Sequence, residues 1–248
     1  GEYIMLGKDA IVEGIRLGDV KAEPYKKLAE VSRKVAAEGA VLLKNEKEVL
    51  PLKKGEKIAV FGRSQFEYLK AGIGSGGLVN VEYCVNIYDG LKNNGSVEIN
   101  ETLSNIYRDY IKEHPFNGDI GWSTRPCAQD EYDIPYEIAE KAAKESDKAL
   151  VVISRNSGEG QDNIREPGGY FLTEEEYGML KTVRRYFDKV AVVLNIGNVM
   201  DMNWIDKLDI DSVLCVWLGG QEGGNAAADV LCGVVTPSGK LTDTVPRH

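Results

Sequence analysis

Apolar positions fall into two rhythms along this chain. Uninterrupted apolar runs occur at Ile58-Ala59-Val60-Phe61, Ala149-Leu150-Val151-Val152-Ile153, Ala191-Val192-Val193-Leu194 and Val213-Leu214-Cys215-Val216-Trp217. Short runs of this kind read as strands buried on both faces. Between them the spacing turns helical. Residues 24–38 carry Leu28, Val31 and Val35 on one face, open with Pro24 and stop at Gly39. Residues 101–113 and 135–146 predict two more helices. Thr173-Glu174-Glu175-Glu176 matches a capping box and predicts a helix over 174–187. A last helix is predicted over 224–232, stopped by Thr236-Pro237-Ser238-Gly239.

Buried strands separated by helices predict one doubly wound α/β domain, its mostly parallel sheet covered on both faces. Ligands of such folds gather beyond the carboxyl ends of the strands. That rule singles out four loops, 62–80, 154–169, 195–203 and 219–225, all carrying glycine and polar residues. The least patterned region, 115–134, is long for a connection and joins them as a candidate functional loop.

Composition narrows the function classes. A chain of 248 residues with 43% hydrophobic and 28% charged side chains has enough apolar material for a core. A formal net charge of −9 argues against nucleic acid as a partner, which calls for clustered Lys and Arg. No apolar run reaches the roughly 18 residues needed to span a bilayer, and the N-terminus lacks the pattern of a secretory signal. Cys84, Cys127, Cys215 and Cys232 form no C-x-x-C pair. They read as small buried hydrophobes rather than disulfides, which leads us to expect a reducing, cytoplasmic setting. With only His114 and His248, the sequence offers neither a metal site nor a supported Ser-His-Asp arrangement, and no cofactor is implied. His114 reads as a capping or surface residue, and Glu174-Glu175-Glu176 as a solvated helix N-terminus.

Three glycine-rich loops carry the candidate chemistry. Glu159 sits between Gly158 and Gly160 just past a buried strand. Flanking glycines let the backbone hold a carboxylate out into a cleft, and a carboxyl group in a partly dry cleft can act as a general acid. A solvated glutamate in a surface loop has the same signature. Gly72-Ile73-Gly74-Ser75-Gly76-Gly77 matches G-x-G-x-x-G literally, but the strand ends some ten residues earlier and no helix start follows. A nucleotide fingerprint requires both. The run reads instead as a tight loop that brings backbone and the Ser75 hydroxyl to a polar ligand, or as a plain turn. For Gly219-Gly220-Gln221-Glu222-Gly223-Gly224, close strand–helix packing is explanation enough.

Taken together and in order, these loops resemble one family. Ser157-Gly158-Glu159-Gly160 followed by Gly169-Tyr170-Phe171-Leu172-Thr173 is similar to the acid/base loop of glycoside hydrolase family 3. Ala37-Glu38-Gly39-Ala40-Val41-Leu42-Leu43-Lys44-Asn45 and Leu50-Pro51-Leu52 resemble the opening of its α/β-sandwich domain, and Gly74-Ser75-Gly76 its Gly-Ser loop. Leu194-Asn195-Ile196-Gly197-Asn198, Gly220-Gln221-Glu222-Gly223-Gly224 and Pro237-Ser238-Gly239-Lys240-Leu241 complete the order. The resemblance covers roughly residues 30–247 and leaves a leader over 1–29.

The resemblance implies a three-layer (α/β)6-like sandwich and a retaining β-glycosidase, above all a β-glucosidase, acting on β-glucosides or short oligosaccharides. In that scheme an aspartate on a (β/α)8 barrel attacks the anomeric carbon, and a glutamate of the sandwich protonates the leaving oxygen and then activates water. Glu159 stands at that glutamate's place. Ser75 would contact the innermost sugar, Trp122 would stack on the aglycone, and Asp162 would orient the loop, although Asn163 stands where many relatives carry Arg. The barrel is absent from this sequence, so the nucleophile is expected on another chain or on a further part of the polypeptide, with the sandwich preceding the barrel. A non-catalytic carbohydrate-binding or regulatory module is the rival reading. Assembly into a homo-oligomer is left open.

Overall fold

The computed structural model describes residues 11–12, 15–16, 23–75, 77, 81, 83–117, 126–160 and 164–245. Ahead of the main body, β1 (Ile11–Val12) and β2 (Ile15–Arg16) pair antiparallel. Helix α1 (Glu23–Gly39) then leads into β3 (Val41–Asn45), β4 (Lys57–Phe61), α2 (Ile87–Asn94), β5 (Glu98–Ile99), α3 (Glu101–Glu113) and α4 (Tyr136–Lys144). The second half alternates β6 (Lys148–Arg155), α5 (Glu174–Tyr186), β7 (Val190–Ile196), α6 (Asn203–Lys207), β8 (Ser212–Cys215) and α7 (Gly223–Leu231).

One six-stranded sheet organises these elements in the order β3-β8-β7-β6-β4-β5. Every pairing is parallel except that of the edge strand β3 with β8. Alternate residues feed two cores, as a pleated strand requires. Phe61, Val151, Ile153, Val192 and Leu194 pack under Leu103, Tyr107, Ala139, Met179 and Trp204 on one face. Val60, Leu150, Val152, Val193 and Leu214 pack under Ala37, Ile87, Leu91, Ala227 and Leu231 on the other. The predicted three-layer α/β architecture is therefore what the chain adopts. Each buried Val, Leu, Ile, Phe or Met among them contributes about 1.5–3 kcal/mol of transfer free energy.

Three details differ from the sequence pattern. The stripe Leu28, Val31 and Val35 lies 61%, 58% and 63% exposed. Helix α1 instead turns small residues inward, where Ala36 and Ser32 meet Gly219 and Gly220, and Ala37 is buried. Close approach between backbones wins over a bulkier apolar stripe. Second, the run predicted as strand through Trp217 stops at Cys215, and Trp217 adopts φ 52°. Third, the helix N-terminus at 174–176 is only partly solvated. Thr173 and Glu176 form the predicted capping box, but Glu176 is buried and paired with Arg155.

Candidate active site

Chain order locates the crevice. From β4 the chain moves out to β5 on one side, then returns to β6, β7 and β8 on the other. The direction reverses between β4 and β6, and in open α/β sheets such a switch point opens a crevice at the carboxyl ends of the strands. The loops leaving β4 and β6 are the Gly-Ser loop and the Glu159 loop.

These two loops are joined. Ile73 N–H donates to Ser157 O at 2.9 Å, and Glu159 N–H donates to Ile73 O at 3.2 Å. Ile73 and Gly158 thus form a short parallel bridge. A Cβ on Gly158 would stand 2.3 Å from Ile73 O, so only glycine permits the approach. Gly74, at φ +93°, is in the left-handed region, and a Cβ there would meet the Glu159 Cβ at 2.4 Å. With that space vacant, Ser75 reaches the Glu159 carboxylate. Its N–H donates to Oε2 at 3.2 Å and its hydroxyl donates to the same oxygen at 3.0 Å.

Beneath this pair the remaining loops are tied together. Asn195, wholly buried at the end of β7, accepts from Leu69 N–H at 2.7 Å and donates to Leu69 O at 3.0 Å and to Trp217 O at 2.7 Å. One carboxamide of β7 therefore fixes the loops after β4 and β8. Ser64 and Ser154 share a hydroxyl–hydroxyl bond of 2.7 Å. Asn156 N–H donates to Cys127 O at 2.7 Å, which brings the predicted 115–134 loop against the same crevice. Gly219 N–H donates to the Tyr68 hydroxyl at 2.9 Å, and a Cβ on Gly223 would lie 2.0 Å from that oxygen. The glycines of 219–224 thus serve close packing.

The structure brings the Glu159 loop against the Gly-Ser loop, and of the two sequence readings of Glu159 it shows the surface-loop one. Glu159 is exposed, not held in a dry cleft. The reason is geometric: loops at the rim of a single sheet have solvent on their far side. A cavity of about 300 Å³ beside the Gly-Ser loop is lined by Tyr68, Leu69, Lys70, Gly77, Cys84 and Phe116, and Glu159 does not line it. Trp122, Asp162 and Asn163 lie outside the described residues. His114 caps α3 and stacks on Tyr110, with ring centroids 4.3 Å apart. All four cysteines are free. Burial pushes the thiol of Cys215 up to about 12 and that of Cys232 up to about 11, which removes them as nucleophiles. Cys84 is exposed, against the expectation of a buried hydrophobe. Asn195 was visible in the sequence only as part of a motif; a polar residue in an otherwise apolar buried run was the signal for a structural tie.

Comparison with known proteins returns one family. The family model described as glycosyl hydrolase family 3 C-terminal domain matches residues 40–248. A β-glucosidase of Ruminococcus albus is 45% identical over 216 residues, covering 87% of this chain and 23% of that protein. The periplasmic β-glucosidase of Salmonella typhimurium is 30% identical over 252 residues, covering 93% of this chain and 31% of that protein. Among solved structures, a β-glucosidase from Paenibacillus barengoltzii superposes with a TM-score of 0.87 at 49% identity, covering 90% of this chain and 24% of that one. β-Glucosidase 3B from Thermotoga neapolitana, solved in complex with glucose, gives a TM-score of 0.79 at 41% identity, covering 90% of this chain and 31% of that one. The chain thus spans about a quarter to a third of the length of these relatives.

Proposed function

The chain belongs to glycoside hydrolase family 3, and on that footing we propose that it is the acid/base part of a retaining β-glucosidase that removes terminal β-glucosyl residues. One observation carries the reading: a carboxylate at the switch point of the sheet, set between glycines and hydrogen-bonded by Ser75 of the neighbouring loop. Glu159 protonates the leaving oxygen in the first half-reaction and takes a proton from water in the second. The attacking aspartate comes from a (β/α)8 barrel domain, whose approach supplies the second carboxylate about 5–5.5 Å away and excludes water from the exposed Glu159. Ser75 contributes to the sugar site, Trp122 to the aglycone side, and Asp162 to the shape of the loop. Four free thiols support a reducing, cytoplasmic setting.

The test is Glu159→Ala in the complete enzyme. An alkyl glucoside needs its leaving oxygen protonated, whereas a dinitrophenyl glucoside does not. The kcat/KM of the alkyl substrate, which reports the first half-reaction, should fall by about 10²–10⁴-fold, with far less loss of kcat/KM on the activated one. Equal losses on both would remove Glu159 from the acid role and favour the non-catalytic module.

A further inference from the structure

Arg155 is the last residue of β6 and is only 3% exposed, two residues beyond the apolar run 149–153. A guanidinium carries five N–H donors, and here five hydrogen bonds leave it. Nη1 donates to Ser154 O at 2.7 Å and to one Glu176 oxygen. Nη2 donates to the other Glu176 oxygen and to Phe171 O at 3.1 Å, and Nε donates to Gly169 O at 3.0 Å. The partners lie on both stems of the Glu159 loop. Ser154 is on the outgoing stem, while Gly169 and Phe171 are on the returning one. Glu176 belongs to the first turn of α5, where its carboxylate also accepts from Thr173 N–H at 2.8 Å to complete the capping box. One side chain therefore closes the neck of the loop spanning 156–168 and fastens it to strand and helix alike.

We propose that Arg155 is a positioning residue for Glu159, acting by setting the path of the loop rather than by touching substrate. A buried ion pair contributes little net stability compared with apolar groups of similar volume. A planar fork aimed at two backbone carbonyls and a bidentate carboxylate does fix geometry. Proton transfer needs such fixing, since a displacement of about 1 Å costs on the order of 10²-fold in rate. The proposal rests on Glu159 being the proton donor.

The experiment uses the complete enzyme with an alkyl and a dinitrophenyl β-glucoside. Arg155→Lys keeps the charge and loses the fork. It should lower kcat/KM on the alkyl glucoside by about tenfold or more and hold kcat/KM on the dinitrophenyl glucoside within about threefold, since kcat/KM reports the first half-reaction alone, apart from the base step that both substrates share. In a Glu159→Ala background the same substitution should add nothing, because residues acting through one group are not additive. Equal losses on both substrates, or a full additional loss in that background, would reduce Arg155 to a fold-holding role. Should Arg155→Lys lack a cooperative melt, Glu176→Gln, which removes the charged partner, is read by the same two comparisons. Glu159→Ala measured alone separates the two ideas. If it shows no leaving-group dependence, the acid/base reading fails and the Arg155 proposal falls with it. If it shows that dependence and the Arg155 variant does not, only the positioning role falls.

Discussion

Among the described residues, two hydrogen bonds reach the Glu159 carboxylate, both from Ser75 and both on Oε2. Ser75→Ala removes the hydroxyl donor and keeps the N–H. A hydrogen bond to an exposed charged acceptor is worth about 1 kcal/mol, so kcat of the complete enzyme on an alkyl glucoside should drop about fivefold. A rise in KM shared by all substrates would report the sugar contact expected for the same hydroxyl. Gly158→Ala tests the bridge itself. The added methyl, 2.3 Å from Ile73 O, forces the two loops apart. Activity should fall by more than about tenfold, since about 1–3 kcal/mol of overpacking lands on the bridge that sets the Glu159 loop against Ser75. Kinetics and a thermal melt of one sample separate this from unfolding: a midpoint that collapses along with activity would count against a local effect.

At the scale of elements, long periodic segments were legible. The predicted helix 101–113 coincides with α3, and the apolar runs at 58–61, 149–153 and 191–194 lie within β4, β6 and β7. Elements held mainly by tertiary contact were not. Helix α2 contains Gly90 and two asparagines, poor helix formers. It persists because Gly90 lets its backbone approach Gly224, where a Cβ would lie 2.0 Å from that carbonyl oxygen. Strand β3 follows Gly39 after a single residue and, among the described residues, pairs with β8 alone, so neither length nor turn chemistry announced it. The exposed stripe of α1 makes the same point for packing: periodicity found the helix and chose the wrong face. Of the site, Glu159 and Ser75 were legible as residues. Their contact was not, because it joins residues 84 apart and depends on backbone bonds of Ile73 to Ser157 and Glu159 that leave no mark on composition. Two predictions belong here. Val31→Lys, on the exposed stripe, should change stability by no more than about 0.5 kcal/mol, whereas Ala37→Leu, on the buried side, should cost about 1–3 kcal/mol. Thr173→Ala should cost about 1 kcal/mol through the lost cap. Urea titration measures all three. A larger loss at Val31 than at Ala37 would overturn the assignment of the packing face.

The whole domain carries a buried acid that couples its stability to pH. Glu131, in the segment before α4, is 7% exposed and accepts from Arg63 N–H at 3.1 Å and from Tyr132 N–H at 2.8 Å. Burial pushes its carboxyl from the ordinary 4.5 up to about 8, with the neighbouring Glu176 adding to the rise and Arg63 opposing it. Near pH 6 the folded chain therefore holds this proton and the unfolded chain has released it. Where the native state binds more protons, stability falls as pH rises. The contribution is fully present below about 4.5 and declines as pH climbs to about 8. The slope is on the order of 1 kcal/mol per pH unit from this one group. Paired carboxylates such as Asp209 act oppositely, since Arg184 holds that carboxyl below its usual range. Asp209 is exposed and its effect is confined to acid pH, so the two do not cancel between pH 5 and 8. Urea unfolding at a series of pH values should show falling stability across that interval, and Glu131→Gln should flatten the curve. A wild-type curve that is already flat there, or a Gln variant with an unchanged slope, would mean that Glu131 is ionised in the fold. The Arg63 and Tyr132 N–H groups would then be compensating a full buried charge.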